Sequence, residues 1–165
     1  MGELNVIWHF CHFNQLTLKQ LYDVLAERQR VFIVEQNCPF LDADGLDEHC
    51  WHLLGYRKSK EKQRLIAYSR IVPAGLAFKE AAIGRIITSH EVRGMGAGKA
   101  LMVESIRLLE KMWGNVPIKL GAQRYLIDFY SNFGFQVIGE PYDEDGIPHV
   151  YMLRQASVKK QKSEP

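Results

Sequence analysis

The residues with the clearest chemical meaning are three glycines that alternate with other residues. Gly94, Gly96 and Gly98 lie between Arg93 and Lys99. They follow a β-branched stretch and precede a helical pattern, so their peptide N–H groups face the same point as a helix N-terminus, which carries partial positive charge. Glycine also lets a backbone approach a ligand closely. The loop therefore predicts a pyrophosphate site, although a glycine turn that only packs a helix on a sheet has the same pattern.

Two nucleotide-binding motifs do not fit this loop. A P-loop reads G-x-x-x-x-G-K-[S/T], but Arg93 stands at its first glycine and Ala100 at its Ser or Thr. A dinucleotide loop reads G-x-G-x-x-G, and its third glycine is replaced here by Lys99 or Leu101, depending on the starting glycine. What remains is R-x-x-G-x-G at the start of a helix, a pattern in which the backbone itself binds an anion.

The composition is typical of one globular domain. The chain has 165 residues, of which 47% are hydrophobic and 24% charged. Its net charge of +2 gives no reason to expect nucleic acid or a membrane surface as a partner. No apolar run reaches the roughly 18 residues of a membrane span, and the N-terminus lacks the order of a secretory signal. The three cysteines match no disulfide framework, so we expect a reduced, cytoplasmic environment.

Two short clusters contain residue types that bind zinc. They are His9, Cys11 and His12 in one cluster, and His49, Cys50 and His52 in the other. Neither has the spacing of known zinc sites, and both lie among large apolar residues. We therefore expect core cysteines, partly exposed histidines and no metal.

The periodicity predicts a single mixed α/β domain over residues 1–155, without repeats or linkers. The expected strands cover residues 6–13, 51–56, 65–72, 81–88 and 116–122, followed by a hairpin made of FQVIGE and HVYMLRQ. Helices are expected from Thr17 to about Val34, after the glycine loop, and from Tyr125 to Asn132. KSKEKQR is predicted to be a charged turn, and residues 156–165 a polar, disordered tail.

A second motif, DFYSNFGF, follows about 30 residues after the glycine loop. The pair resembles the GCN5-related N-acetyltransferases (GNAT), in which R/Q-x-x-G-x-G/A precedes F-Y-x-x-x-G-F. Further segments are similar to the ElaA-like branch of that superfamily: RQRVFIVEQNCPFLDADGLD, AYSRI, GRII, LGAQ and YDEDGIPH. The resemblance covers the chain from about Trp8 to Leu153. It implies an α/β (α+β) fold with a mixed, mostly antiparallel central sheet and flanking helices.

The resemblance also implies acetyl-coenzyme A as cosubstrate. Its binding residues would lie between the strand that precedes the loop and the strand at Ile118 to Ala122. The peptide groups of Ile86, Ile87 and Thr88 would bind the pantetheine arm. The pyrophosphate would be held by Arg93, Gly94, Met95, Gly96, Ala97, Gly98 and the Lys99 amide, and Gln123 stands where many relatives have an asparagine that contacts the coenzyme.

For the catalytic residues, Tyr130 matches the family's tyrosine near the coenzyme sulfur. A phenol there can protonate the leaving thiolate, whereas the alternative is a packing residue beside two phenylalanines. The amine acceptor must lose a proton, and we rank Glu35 and His149 first as the base. Asp44 and His52 are further candidates, many family members use water chains instead, and His49 and Asp47 are expected to be solvated.

The resemblance implies that the acceptor is a primary amine on a small molecule or peptide, which the sequence does not identify. Acidic loops over residues 35–48 and 143–145 favour a cationic amine or simply keep long loops in water. Arg30 and Arg85 are expected to form ion pairs, with Glu35 or Asp42 as partners. Direct transfer in a ternary complex is expected, because neither Cys38 nor Cys50 has a visible activating partner.

Two other functions compete with this enzyme. The first is a non-catalytic acyl-coenzyme A sensor or interaction module on the same fold, since fold does not fix function. The second is a nucleotide-binding protein. The resemblance also makes a homodimer an option.

Overall fold

The computed structural model describes residues 4–57 and 63–157, and its centre is a seven-stranded sheet. The strand order is β1-β2-β3-β4-β5-β7-β6. Among these strands, β4 and β5 pair in parallel and the other neighbours are antiparallel, which confirms the predicted fold class. The strands are β1 Val6–His12, β2 Trp51–Arg57, β3 Arg64–Val72, β4 Ala81–Thr88, β5 Ile118–Gln123, β6 Gln136–Glu144 and β7 Ile147–Arg154.

Three α-helices flank the sheet: α1 Leu18–Arg28, α2 Ala97–Trp113 and α3 Ile127–Ser131. Thr17 caps α1 as predicted, through a capping box in which its hydroxyl accepts from the Gln20 N–H. A π-helical segment, Gln29–Glu35, continues directly from α1, and several of its residues line a cleft that is described below. Short 3₁₀ turns occupy Phe13–Gln15, Asp47–His49, His90–Val92 and Arg124–Leu126.

The core lies on both faces of the sheet, as alternating side chains require. Leu54 and Tyr68 pack with Val24 of α1 on one face. Leu53 packs with Leu101 of α2 on the other face. The largest cluster joins α2 and α3 to strands β3, β4, β5 and β7, and includes Ile83, Met102, Leu120, Tyr130, Phe135 and Met152.

A bulge in β4 and a divergence from β5 create the cleft. Between the pairs Arg70↔Gly84 and Tyr68↔Ile87, β4 has one more residue than β3. Arg85 lies in this bulge with a φ of +49°, a left-handed conformation that is uncommon for a non-glycine residue. The parallel pairing of β4 with β5 covers Ala81↔Ile118 and Ala82↔Lys119, after which the two strands separate.

Most predicted elements are present with boundaries shifted by no more than four residues. The predicted first helix is one continuous helical stretch, but its last seven residues are π-helical. The predicted helix at Tyr125 is a 3₁₀ turn followed by the short α3. Most of the KSKEKQR turn and most of the polar tail lie outside the described residues.

Candidate active site

The divergence of β4 and β5 opens a cleft of about 830 Å³. The π-helical segment and the loop after it form one wall, the β6–β7 hairpin forms another, and the N-terminal ends of α2 and α3 form the end. The predicted site residues that line this cleft are Glu35, Ile86, Ile87, Thr88, Arg93, Gly94, Gly96, Ala97, Gly98, Lys99, Gln123, Tyr130 and His149. Of the predicted set, Met95 lies in the glycine loop but does not line the cleft, and 42% of that residue is exposed.

The glycine loop leaves the first amides of α2 free to bind an anion. Gly94 and Gly96 have φ values of +79° and +84°, conformations that other residues adopt only with strain. Gly96 is the N-cap of α2, and the first helical hydrogen bond runs from the Ala100 N–H to its carbonyl at 3.0 Å. The preceding N–H groups, of Ala97, Gly98 and Lys99, therefore have no intrahelical acceptor. A pyrophosphate fits this set of donors and the positive end of the helix dipole.

The edge of β4 that faces β5 is the second binding element. Beyond Ala82, β5 no longer pairs with this edge, and Ile86, Ile87 and Thr88 line the cleft there. Alternate peptide groups of a strand point to each side, so those on the open side face the cleft. An extended amide-containing chain can pair with them as an added strand.

Tyr130 lies at the junction of α3 with the sheet. It is only 5% exposed and packs edge-on against Phe129, with ring centroids 5.1 Å apart. Burial raises the pKa of the Tyr130 phenol well above its usual value, so the hydroxyl keeps its proton at neutral pH. Phe129 in turn reaches the glycine loop, since its ring lies 3.5 Å from the position of a Cβ on Gly98. The same helix therefore contacts the glycine loop through Phe129 and places the protonated phenol of Tyr130 in the lining of the cleft.

His149 is oriented by its neighbours on β6 and β7. Its Nδ1 lies 2.7 Å from the Ile147 carbonyl oxygen, which can only accept, so Nδ1 carries the proton. In the neutral ring, Nε2 then has the free lone pair. The Glu144 carboxylate lies 3.5 Å from Nε2, and the Tyr142 ring stacks on the imidazole at 5.7 Å. The geometry suits a group that accepts a proton and is then stabilised by a carboxylate.

Glu35 has a partner that its position in the sequence did not predict. Its carboxylate accepts a hydrogen bond from an Arg93 Nη2 atom at 2.6 Å. The same guanidinium donates to the Thr88 carbonyl oxygen, from Nε at 3.3 Å and from Nη2 at 3.2 Å. The end of the π-helical segment is thus tied across the cleft to the glycine loop and to β4.

A network of three arginines and three aspartates holds the loop that follows the π-helical segment. Asp42 accepts from Nε of Arg28 and from Nε of Arg85, each at 2.7 Å, and its backbone carbonyl accepts from both residues. The ion pair of Arg85 with Asp42 confirms one prediction. Arg70 binds both Asp44 and Asp47, and Arg28 also reaches Asp47. The charges of the six residues cancel.

This network corrects the predictions for Asp44 and Asp47. Burial alone would raise the pKa of Asp44, but hydrogen bonds and charge from Arg70 hold it well below its usual range. Asp47 is likewise lowered, against burial, by Arg28 and Arg70. Asp44 is therefore a poor base, Asp47 is not solvated, and the acidic loop that contains them adds little net charge to the cleft.

His52 and Arg30 also differ from expectation. His52 is 1% exposed, bonds to the Tyr68 hydroxyl at 2.8 Å and to the Asp47 carbonyl oxygen at 3.0 Å, and does not open on the cleft. Desolvation lowers the pKa of His52, which keeps the ring neutral. Arg30 pairs with Glu27 on the outer surface rather than with Glu35 or Asp42. Spacing along the chain could not distinguish these partners.

The cysteines remain thiols in this environment. Cys38 lines the cleft, with its Sγ 3.6 Å from the Asp145 carbonyl oxygen, and burial raises its pKa. Cys50 is fully buried, and burial raises its pKa to about 11. Neither is a ready nucleophile. Within residues 4–57 and 63–157, no group of three or more His, Cys, Asp or Glu side chains is arranged to hold a metal ion.

Comparison with known proteins agrees with this geometry. The family model described as "Acetyltransferase (GNAT) domain" matches residues 51–155. The chain belongs to the GNAT family. Protein ElaA of Escherichia coli is 40% identical over 150 residues, which cover 90% of this chain and 95% of ElaA. A UPF0039 protein of Synechocystis is 39% identical, with 91% of this chain and 96% of that protein covered.

Solved structures show the same GNAT fold. An acyl-CoA N-acyltransferase from Pseudomonas aeruginosa superposes with a TM-score of 0.85 at 38% identity, and covers 91% of this chain and 99% of its own. The crystal structure of Escherichia coli ElaA gives a TM-score of 0.83 at 38% identity, and covers 92% of this chain and 100% of its own. The ElaA-like resemblance is therefore confirmed. In the described parts of the chain, no helix combines the length and apolarity that a membrane crossing requires.

The sequence did not predict several residues in and around the cleft. Arg28 and Arg70, which neutralise the acidic loop, lie on α1 and β3 and were not recognised. Phe32, Phe40 and Ile147 add apolar surface to the cleft. Arg28 was visible only as a charge on the apolar face of a predicted helix, a position where an arginine requires a buried partner.

Proposed function

We propose that the protein transfers the acetyl group of acetyl-coenzyme A directly to a primary amine within a ternary complex. The observation that carries this proposal is the meeting of three features in one cleft. They are the free amides at the start of α2, the open edge of β4 and the buried phenol of Tyr130. Family membership supports an acyltransferase that uses an acyl-coenzyme A.

The arrangement of backbone groups in the cleft suggests how acetyl-coenzyme A would be placed. The amides of Ala97, Gly98 and Lys99 would hold the pyrophosphate, and the open edge of β4 would pair with the pantetheine amides. Gln123, at the end of β5, supplies a side-chain amide on the opposite side of the cleft. A thioester at the end of such a chain would lie deep in the cleft, next to Tyr130.

The proton balance assigns the remaining roles. The acceptor must attack as the neutral amine, so its ammonium form would first lose one proton to water. A bond then forms between the amine nitrogen and the carbonyl carbon, and the carbon–sulfur bond breaks. His149 Nε2 would take the second proton, which the nitrogen loses during this step, and Glu144 would stabilise the resulting imidazolium. Tyr130 would supply a hydrogen bond to the departing sulfur. Because the raised pKa of this phenol exceeds the roughly 8.5 of an alkyl thiol, it stabilises the thiolate more than it fully protonates it.

The hairpin tip favours an amine that carries positive charge. Glu144 and Asp145 line the cleft there, and neither has an arginine or lysine partner among the described residues. Phe32, Phe40 and Ile147 provide apolar surface beside them. The acceptor would therefore place a cationic nitrogen against the hairpin and its carbon chain against these side chains.

Two measurements test the proposal. Calorimetry should show binding of acetyl-coenzyme A and no comparable binding of magnesium-ATP. A panel of primary amines should then release free thiol in the presence of the protein. Tight ATP binding without coenzyme binding would contradict the proposal. Coenzyme binding without turnover on any amine, peptide or lysine acceptor would favour a non-catalytic acyl-coenzyme A sensor.

A further inference from the structure

The ion pair between Glu35 and Arg93 places a carboxylate beside a site built for an anion. Arg93 begins the glycine loop, and its Nη2 lies 2.6 Å from Glu35. Glu35 is the last residue of the π-helical segment, and both residues line the cleft. The negative charge of Glu35 repels a pyrophosphate bound at this position. It also forms an ion pair with Arg93, which could otherwise bind the pyrophosphate.

The hydrogen bonds of Arg93 leave one guanidinium nitrogen for a further partner. Its Nε and Nη2 are directed to the Thr88 carbonyl oxygen on β4, and Nη2 also donates to Glu35, whereas Nη1 makes no hydrogen bond to the described residues. The strong, bidentate contact of an arginine with a phosphate needs two donors. An anion that binds Arg93 in this way therefore competes with Glu35 for Nη2.

We propose that Glu35 couples the coenzyme site to the acceptor site. When the pyrophosphate is bound, Arg93 turns from Glu35 towards it, and the freed carboxylate receives the ammonium group of the acceptor. Glu35 is then a positioning residue for the second substrate, whereas His149 remains the base. This inference rests on the proposed function, in which the coenzyme binds in the cleft and an amine is the acceptor.

The coupling must be reciprocal. If the coenzyme releases Glu35 for the amine, the amine must strengthen coenzyme binding by the same factor. The pair is partly exposed, with 42% of the Arg93 side chain and 28% of the Glu35 side chain accessible. We therefore expect modest effects, on the order of threefold in affinity, as for partly exposed ion pairs.

The first experiment measures coenzyme A binding to Glu35→Gln by calorimetry. The matched control is Glu91→Gln, which removes a carboxylate from the same loop region but one that is paired with Arg64. We expect Glu35→Gln to bind coenzyme A about threefold more tightly than Glu91→Gln does. Equal affinities in the two variants would overturn the inference, because the gain would then be a general charge effect.

A double-mutant cycle isolates the contact itself. In an Arg93→Gln background, Glu35→Gln should no longer improve coenzyme A binding beyond the Glu91→Gln control. Dephospho-coenzyme A, which retains the pyrophosphate, should show the same gain as coenzyme A. Pantetheine, which lacks it, should show none. A gain that persists without Arg93, or with pantetheine, would exclude the proposed competition.

The acceptor side is tested by kinetics at saturating acetyl-coenzyme A. Glu35→Gln should raise the KM of the amine about threefold or more with a small change in kcat, while Glu91→Gln leaves both unchanged. A fall in kcat with unchanged KM would assign Glu35 to proton transfer and overturn the inference. If the wild-type protein does not bind coenzyme A at all, the proposed function fails; if it binds but the two variants behave alike, only the coupling fails.

Discussion

Burial of single side chains determines which of them can take part in proton transfer. Tyr130 is buried and keeps its proton, whereas the carboxylates of Asp44 and Asp47 are held ionised by arginines. His149 is the residue whose free ring nitrogen faces a carboxylate at the cleft. The same chemical types thus receive different roles from their surroundings.

Replacement of Tyr130 by phenylalanine removes the hydroxyl and keeps the packing against Phe129. We expect kcat to fall by about 10²-fold or more, because the leaving thiolate loses its hydrogen-bond donor, while coenzyme binding is unchanged. Thiol release and calorimetry measure the two quantities. Tyr22→Phe, on the exposed face of α1, serves as the control. Unchanged turnover in Tyr130→Phe would show that the phenol only packs.

Replacement of His149 by glutamine tests the base. His149→Gln removes the ring nitrogen that faces the Glu144 carboxylate, so kcat should fall by about 10²-fold. His90→Gln, which changes an exposed histidine before the glycine loop, should retain kcat. Unchanged kcat in His149→Gln would indicate that water removes the proton.

The end of the cleft that is proposed to bind the coenzyme was recognisable in the sequence because its residues are consecutive. Arg93 to Lys99 form one loop, Tyr130 follows in a second motif, and all of them except Met95 line the cleft. The network of arginines and aspartates could not be predicted. Its arginines meet aspartates that are 14 to 43 residues away, and periodicity carries no information about such partners. His52 showed the same limit, since the sequence of β2 does not reveal that both of its faces are covered.

At the level of elements, the loop between the π-helical segment and β2 is held by ion pairs rather than by regular structure. Asp42 joins α1 to the β4 bulge, because Arg28 and Arg85 both bind its carboxylate. The bulge places Arg85 in a left-handed conformation, which these contacts compensate. The sequence predicted the strands themselves, but a one-residue bulge and a π-helical segment leave no periodic signal.

Replacement of Asp42 by asparagine should therefore destabilise the protein. The carboxylate is 5% exposed, and its loss leaves two arginines short of a buried partner, at a cost of about 3 kcal/mol. Urea denaturation measures this change. Glu48→Gln, an exposed carboxylate in the same loop, should be close to neutral. A cost below about 1 kcal/mol for Asp42→Asn would mean that Asp44 and Asp47 replace it.

For the whole molecule, the shifted groups predict loss of stability in acid in two stages. His52 has a lowered pKa when folded, so the unfolded chain binds a proton first and stability falls as pH drops below roughly 6.5. Asp44 and Asp47 also have lowered pKa values; their contribution is complete above roughly pH 4 and is lost below it. Thermal unfolding between pH 7.5 and 3 measures both stages. The His52→Gln variant should be less stable than the wild type, but its stability should change less between pH 7 and pH 5. If the pH dependence of stability in this range is the same in the variant, His52 does not cause it.

The short parallel contact between β4 and β5 has a mechanical consequence. The pairing covers two residue positions, so the sheet consists of a four-stranded and a three-stranded part that share a narrow seam. On the proposed placement, a pantetheine arm along β4 extends the hydrogen-bonded ladder where β5 has left it, and its thioester end reaches Tyr130 on the other part. The bound coenzyme would thus act as an additional strand between the two parts of the sheet. The sheet would be more rigid in the complex than in the protein without coenzyme.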